Sequence, residues 1–334
     1  MQKHKQRLLN ILWITLPLVS ALLALCVGRY GLSFREVISA LLSGPMLDTP
    51  AVTILYKSRL PRVILAFIVG AGLSVAGCCF QSIFANPLAS PDTLGVSSGA
   101  AFGAALGILF SFGMLGTQLM AMIIGIAAVG VTFLLSNLKR GSGILMLILA
   151  GVISSSFFNA LISAVKYLAD PLTKLPEITY WLMGSMLGAS YQDILLALPF
   201  IALPIAILYL LRWKLNILTL PDDEASALGI NPSALRWLII VLCTLIISAC
   251  VSVSGQVSWV GLVIPHIARR IAGTDHCYTL PACISIGGVY MVLVDTLART
   301  LSAGELPLSI LTAIIGLPIF VILFFKKGAA GFAS

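Results

Sequence analysis

The sequence predicts an all-α, polytopic membrane protein with about ten transmembrane helices and a short cytoplasmic helix. Three observations predict it. Of 334 residues, 59% are hydrophobic and only 10% charged, where soluble domains carry about a quarter charged residues. The apolar residues fall in runs of about 20, the length that crosses a ~30 Å hydrocarbon core at ~1.5 Å per residue. The basic residues stand singly or in pairs at the ends of those runs, so the net charge of +8 fits membrane orientation rather than a nucleic-acid-binding patch. Seven cysteines, an odd number without a C-x-x-C pair and mostly in apolar segments, read as small core residues instead of a disulfide frame or metal cluster.

Lys3, Lys5 and Arg7 precede the uncharged run Leu8 to Gly28. It has a signal-peptide layout but is longer than a signal core, and it predicts an uncleaved first span with a cytoplasmic N-terminus. Residues 29–58 predict an outside segment that is partly amphipathic helix. The second span opens at Arg59-Leu60-Pro61-Arg62 and stops at Asn86-Pro87 and Ser90-Pro91, because each proline lacks an N–H and pushes its predecessor out of the α region. Non-helical backbone at the membrane face is tolerated only against protein or a water-filled cavity, so this elbow is a candidate pathway wall.

The uncharged stretch Thr93 to Leu138 is too long for one span and predicts a third and a fourth, turning at Ser111–Gly113. Gly99, Gly103 and Gly107 give the third a small-residue packing face. Lys139 and Arg140 mark a cytoplasmic end. The fifth span, Ile144 to Lys166, places Ser155, Asn159 and Ser163 on one helical stripe, either hydrogen-bonding glue between helices or the wall of a wet pathway. Asp170 to Gly188 predicts an outside loop and interfacial helix anchored by Tyr180 and Trp181. The sixth span, Tyr191 to Leu211, returns to Arg212 and Lys214.

A polar inside loop follows, about residues 215–232. Pro221 suits a first helical turn, Asp222, Asp223 and Glu224 suit the positive end of the dipole, and Gly229 suits the stop, predicting a helix of about two turns. Asn231-Pro232 caps the seventh span, about Ser233 to Val253. The eighth, Gly255 to Ile267, contains Gly261 and Pro265 and predicts a broken or brief helix buried among its neighbours. The ninth, Pro281 to Ala298, ends at Asp295 and Arg299, four apart on one face. The tenth runs from Leu306 to Phe325, which leaves both termini cytoplasmic. Residues 1–334 thus form a single transmembrane domain.

Function classes narrow accordingly. No G-x-x-x-x-G-K-[ST] occurs, so a phosphate cradle must come from another subunit if ATP is used. An ion-coupled carrier is the main alternative, but the spans hold only Asp193 and Asp295 as carboxylates, both near span ends. A membrane enzyme lacks support: H-E-x-x-H and G-x-S-x-G are absent, and His276 with Cys277 reads as an exposed loop pair.

The motif R-x-P-R, then G-A-x-L and N-P-L-A-x-P-x-x-L-G-x-x-x-G-A, resembles the FecCD-type permease subunits of ABC importers for iron-siderophores, haem and cobalamin. S-G-Q-V-S-W-V-G-L-V-I-P-H-I-A-R-R at Ser254 to Arg270 and D-T-L-A-R with E-L-P-L-S-I-L-T-A-I-I-G-L-P-I-F, Asp295 to Phe320, are similar to the same family, in family order. The resemblance implies a non-enzymatic, dimerising transport subunit of a bacterial or archaeal cytoplasmic (inner) membrane, embedded in the lipid bilayer and binding no nucleic acid. It implies no cofactor or metal bound by this chain, ATP and Mg being used by a partner ATPase subunit dimer. An extracytoplasmic substrate-binding protein and a second permease copy or paralogue are the other implied partners. A ferric siderophore, haem or cobalamin is the implied cargo, and an oxyanion stays open.

By the same resemblance, Arg59 and Arg299 receive acidic residues of the binding protein. The alternatives are headgroup snorkelling and, for Arg299, a local pair with Asp295. Arg62 reads as structural. Asn86, Leu88 and the turn containing Gly143 and Ile144 correspond to the cytoplasmic gate, or to a packed turn only. Gly143, Ile144 and Leu145 are nonpolar where the family is more usually polar. Leu218, Leu220, Asp222, Asp223, Glu224, Leu228 and Gly229 correspond to the ATPase-coupling loop, or to a plain connector. Pro221 stands where the family more often has glycine.

Overall fold

A computed structural model describes residues 2–47, 49–136, 144–302 and 304–331, and among them every regular element is helical. Helix α1 (Gln2–Cys26) is followed by amphipathic α2 (Phe34–Ser43), whose Ser33 and Glu36 form a reciprocal capping box. Helix α3 (Pro50–Ile54) runs through a π turn at Leu55–Arg59 directly into α4 (Leu60–Ile83), so the partly helical outside segment joins the span as one continuous rod that carries Lys57 and Arg59. Pro61, which has no N–H to donate within this rod, comes directly after the π turn.

After the elbow and a 3₁₀ turn at Pro91–Leu94 come α5 (Val96–Leu109), α6 (Gly113–Ser136) and α7 (Ile144–Leu168). Helix α8 (Lys174–Leu182) precedes α9 (Tyr191–Leu210), α10 (Arg212–Ile217) and α11 (Asp222–Ala227). The rest are α12 (Pro232–Ser254), α13 (Val260–Ala272), α14 (His276–Thr300) and α15 (Leu308–Gly331). Among the described residues, six helical stretches are long and apolar enough to cross a membrane, while Ile11–Cys26, Val96–Leu109 and Leu308–Leu323 are shorter apolar helices.

Helix α4 is the axis of the core, buried over most of its length against α14, α12, α13 and α9. Close approach is made by small residues. A Cβ on Gly77 would collide with the backbone of Gly261, and one on Gly70 with the carbonyl of Gly287. Gly99, Gly103 and Gly107 bring α5 onto α6 at Ala128, Met120 and Thr117, as their spacing predicts. Five of the cysteines are buried in this core and none is in a disulfide.

Of the two forms expected for the eighth crossing, broken or brief, the structure has the brief one. Pro265 sits inside a continuous α13, and the non-helical segment is upstream, from Gly255 to the left-handed Trp259 (φ 69°). The carbonyl four residues before Pro265, that of Gly261, has no helical donor there and instead abuts Gly77, so tertiary contact absorbs the proline.

Candidate functional site

Three regions gather the chemistry. At one end of the bundle, where α4 starts and α14 finishes, Arg62 forms a fork between two carboxylates. Its Nε donates to Asp295 Oδ1 and Oδ2 at 2.9 and 3.0 Å, and its Nη1 and Nη2 donate to Glu305 Oε1 and Oε2 at 3.0 and 2.9 Å. This is the structural role read for Arg62. Glu305 is held there in a left-handed conformation, φ 47°.

Arg59 and Arg299 are buried in the isolated chain, 4% and 7% exposed. Arg59 donates to the carbonyls of Leu25, Cys26 and Tyr30, and Arg299 to that of Ala24. The physical reason is the C-terminus of α1. Its last carbonyls have no intrahelical donors and carry the negative end of the dipole, and the two guanidinium groups supply both donor and charge. The expected Asp295–Arg299 pair is long, 3.9 Å, because Arg62 claims the carboxylate.

The second region lies along the elbow. Asn86 Oδ1 accepts from the Leu88 N–H at 2.9 Å, a local turn that leaves Leu88 exposed. Gly143 lies outside the described residues, and Ile144 opens α7. On α7, Ser155 is half-buried and donates to the Asp92 carbonyl at 3.4 Å, Asn159 is exposed, and Ser163 is exposed and donates to the Asn159 carbonyl at 3.0 Å. Ser155 and Asn159 open onto a cavity of about 460 Å³ whose other walls are Asp92, Ser97, Ser98 and the non-helical Gln256–Ser258. Ser163 is not part of its lining. Non-helical backbone among spanning helices needs water or protein for its polar groups, and this cavity answers that need.

The third region is the loop at the opposite end of the bundle. Helix α11 is tied to α12 by a bidentate pair, Arg236 Nη1 to Asp222 Oδ2 at 2.8 Å and Nη2 to Oδ1 at 2.6 Å, which holds the Asp222 carboxyl below the usual range. Pro221 is the residue before the helix, and Gly229 closes it at φ 78°. Ala225 packs inward, while Leu220, Asp223, Glu224 and Leu228 face out. Leu218 departs from the expected surface. It is 3% exposed, because it continues the inward face of α10 begun by Leu215. Leu228, at 61%, has no such partner.

His276 corrects another expectation: it is buried, 6% exposed. Its backbone N–H donates to Asn216 Oδ1 at 2.9 Å, Nδ1 lies 2.7 Å from the same oxygen, and Nε2 hydrogen-bonds Ser82 Oγ, so the ring bolts α14 to α10 and α4. Sequence reasoning also passed over Asp92, Ser98, Gln256 and Glu305. A signal existed for Asp92 and Gln256: a proline-aspartate pair ahead of a short span, and the polar run S-G-Q-V-S inside an apolar region.

An all-helical bundle with a polar cavity among its spans, a charged knot at one end and an exposed short helix at the other defines a membrane permease. The FecCD transport family profile matches residues 16–326, and the chain belongs to that family, the permease subunits of ABC importers. The molybdate import system permease protein MolB of Haemophilus influenzae is 40% identical over 319 residues, 95% of each chain. The hemin transport system permease protein HmuU of Yersinia pestis is 36% identical over 327 residues, covering 96% of this chain and 94% of that one. A solved structure described as a metal-chelate type ABC transporter, in an inward-facing conformation, superposes with a TM-score of 0.88 at 40% identity, covering 96% of this chain and 99% of that one.

Proposed function

We propose that this chain, paired with a second permease copy or paralogue, passes a metal chelate such as a ferric siderophore, haem or cobalamin from an extracytoplasmic binding protein into the cytoplasm. ATP and Mg are used by a separate ATPase dimer, and the chain itself binds no cofactor. The observation that carries the reading is the exposed α11 with Leu228 at its end. A helix this short is marginal alone in water, and an apolar residue at its tip is stabilised by docking on a partner. Leu220, Asp223, Glu224 and Leu228 form the ATPase contact, Asp222 and Gly229 set its shape, and Leu218 anchors it from the core.

Asn86, Leu88, Gly143 and Ile144 act at the cytoplasmic gate, and Ser155, Asn159 and Ser163 line the pathway from there. Arg59 and Arg299 belong to the binding-protein face and receive acidic residues of that protein, and in the free chain they also hold the end of α1. Both termini then lie in the cytoplasm of a bacterial or archaeal cell, under its cytoplasmic membrane. An oxyanion is the second reading for the cargo, favoured by the 40% identity to a molybdate permease. The test is a melting-temperature panel of the cognate binding protein against ferric siderophores, haem, cobalamin and molybdate. A shift with a chelate alone supports the first reading, and a shift with molybdate alone replaces it.

A further inference from the structure

The cavity between α5, α7 and the segment before α13 sits where two broken spans begin. Helix α5 has 14 residues and α13 has 13, each about 20 Å long at ~1.5 Å per residue, too short for a ~30 Å hydrocarbon core. Neither crosses such a core alone, and their starts lie side by side. Gln256 Nε2 donates to the Ser97 carbonyl at 3.4 Å, and a Cβ on Gly261 would meet the ring of Pro91. Asp92 stands between them, next to Pro91 and four residues before Val96, with its side chain on the cavity wall. Ser98 also lines the cavity. It is only 8% exposed, and its hydroxyl has no hydrogen-bond partner among the described residues, an open donor and acceptor facing the space.

Magnitudes decide what this arrangement does. Each helix start carries the equivalent of roughly +0.5 elementary charge, so two of them offer about +1 to the cavity, and half-helix starts inside a membrane hold anionic groups for that reason. Asp92 is exposed on the cavity wall, and its carboxyl, when ionised, supplies −1 at the same place. The other polar lining groups, Ser155, Asn159, Gln256 and Ser258 among them, are uncharged.

We propose that Asp92 is a charge-balancing residue: it cancels the two helix starts, so the cavity takes a passing ligand by hydrogen bonds and shape, whatever its net charge, without trapping an anion. This rests on the transport reading above. Without Asp92 the cavity becomes an anion site.

The test measures the cavity potential in membranes with no cargo present. In a full-length chain carrying Cys26→Ser and Cys277→Ser, single reporters Ser98→Cys and Gln256→Cys are labelled by an anionic and a cationic methanethiosulfonate of similar size. Each rate is divided by that of a free thiol. With Asp92 intact, the anion-to-cation ratio is expected within about threefold of unity. Asp92→Asn and Asp92→Ser should each raise it roughly tenfold or more, and Asp92→Glu should restore it. A ratio unmoved by both neutral variants overturns the proposal, as does absence of labelling at both reporters. Because no uptake is read, a chain that fails to transport but shows the shifted ratio refutes the transport reading alone, and the converse result refutes only the charge balance.

Discussion

Replacing Arg62 with Met should be among the most damaging single substitutions in the chain, and its cost can be worked from the contacts. Arg62 makes four hydrogen bonds to two carboxylates, and its side chain is 10% exposed against 1% for Asp295 and 18% for Glu305. Removing one partner of a buried ion pair leaves the other charge uncompensated and costs about 3–5 kcal/mol. Arg299, 3.9 Å from Asp295, recovers only part of this because it is committed to the Ala24 carbonyl. Removing the charge of Asp295 as well relieves the orphan, so Arg62→Met with Asp295→Asn should be more stable than Arg62→Met alone by about 1–3 kcal/mol. The assay is the thermal aggregation midpoint of the three detergent-solubilised variants. The single variant should melt several degrees below the parent, since 1 kcal/mol moves a domain of 150–250 residues by about 2–4 °C. A single variant that melts with the parent, or a double variant that melts lower than the single, would refute the reasoning.

Leu228→Asp should leave membrane insertion intact and abolish ATPase pull-down or uptake, because it puts a charge into a water-excluding contact, whereas the exposed Ser233→Asp should be silent. Unchanged uptake would make α11 a connector. Arg59→Gln keeps a donor for the Leu25 and Cys26 carbonyls but loses the charge, so it should fold, with about 1 kcal/mol lost, while Arg59→Glu should reduce folded yield strongly. Equal yields of the two would refute the capping role. Gly77→Val should prevent correct packing of α4 on α13, read as loss of the monodisperse species in size exclusion.

Much of the bundle was legible because its signals are local. The glycine stripe of α5, the Asn231 cap of α12, which accepts from the Ala234 N–H at 3.0 Å, and the left-handed Gly229 each follow from residue type and spacing alone. What was not legible depends on partners distant in the chain. Nothing near Arg59 or Arg299 announces that the end of α1 lies against them, and an outer charge reads the same whether it caps a helix or meets a partner. His276 looked exposed because the acceptor that makes its burial tolerable, Asn216, is 60 residues away. Pro265 suggested a break that tertiary contact at Gly261 removes. The cavity was half visible: the α7 stripe was read, but Asp92 and Gln256 join it only through the crossing of two short helices.

The central claim, that this chain is the passive pathway of an ATP-driven importer, is tested most directly by cargo uptake into proteoliposomes. The permease would be reconstituted with and without its ATPase and loaded binding protein, with ionophores collapsing every ion gradient. Uptake that needs all three proteins and ATP and persists with the ionophores is the predicted result. Uptake by the chain alone that the ionophores abolish would contradict the account and make it an ion-coupled carrier.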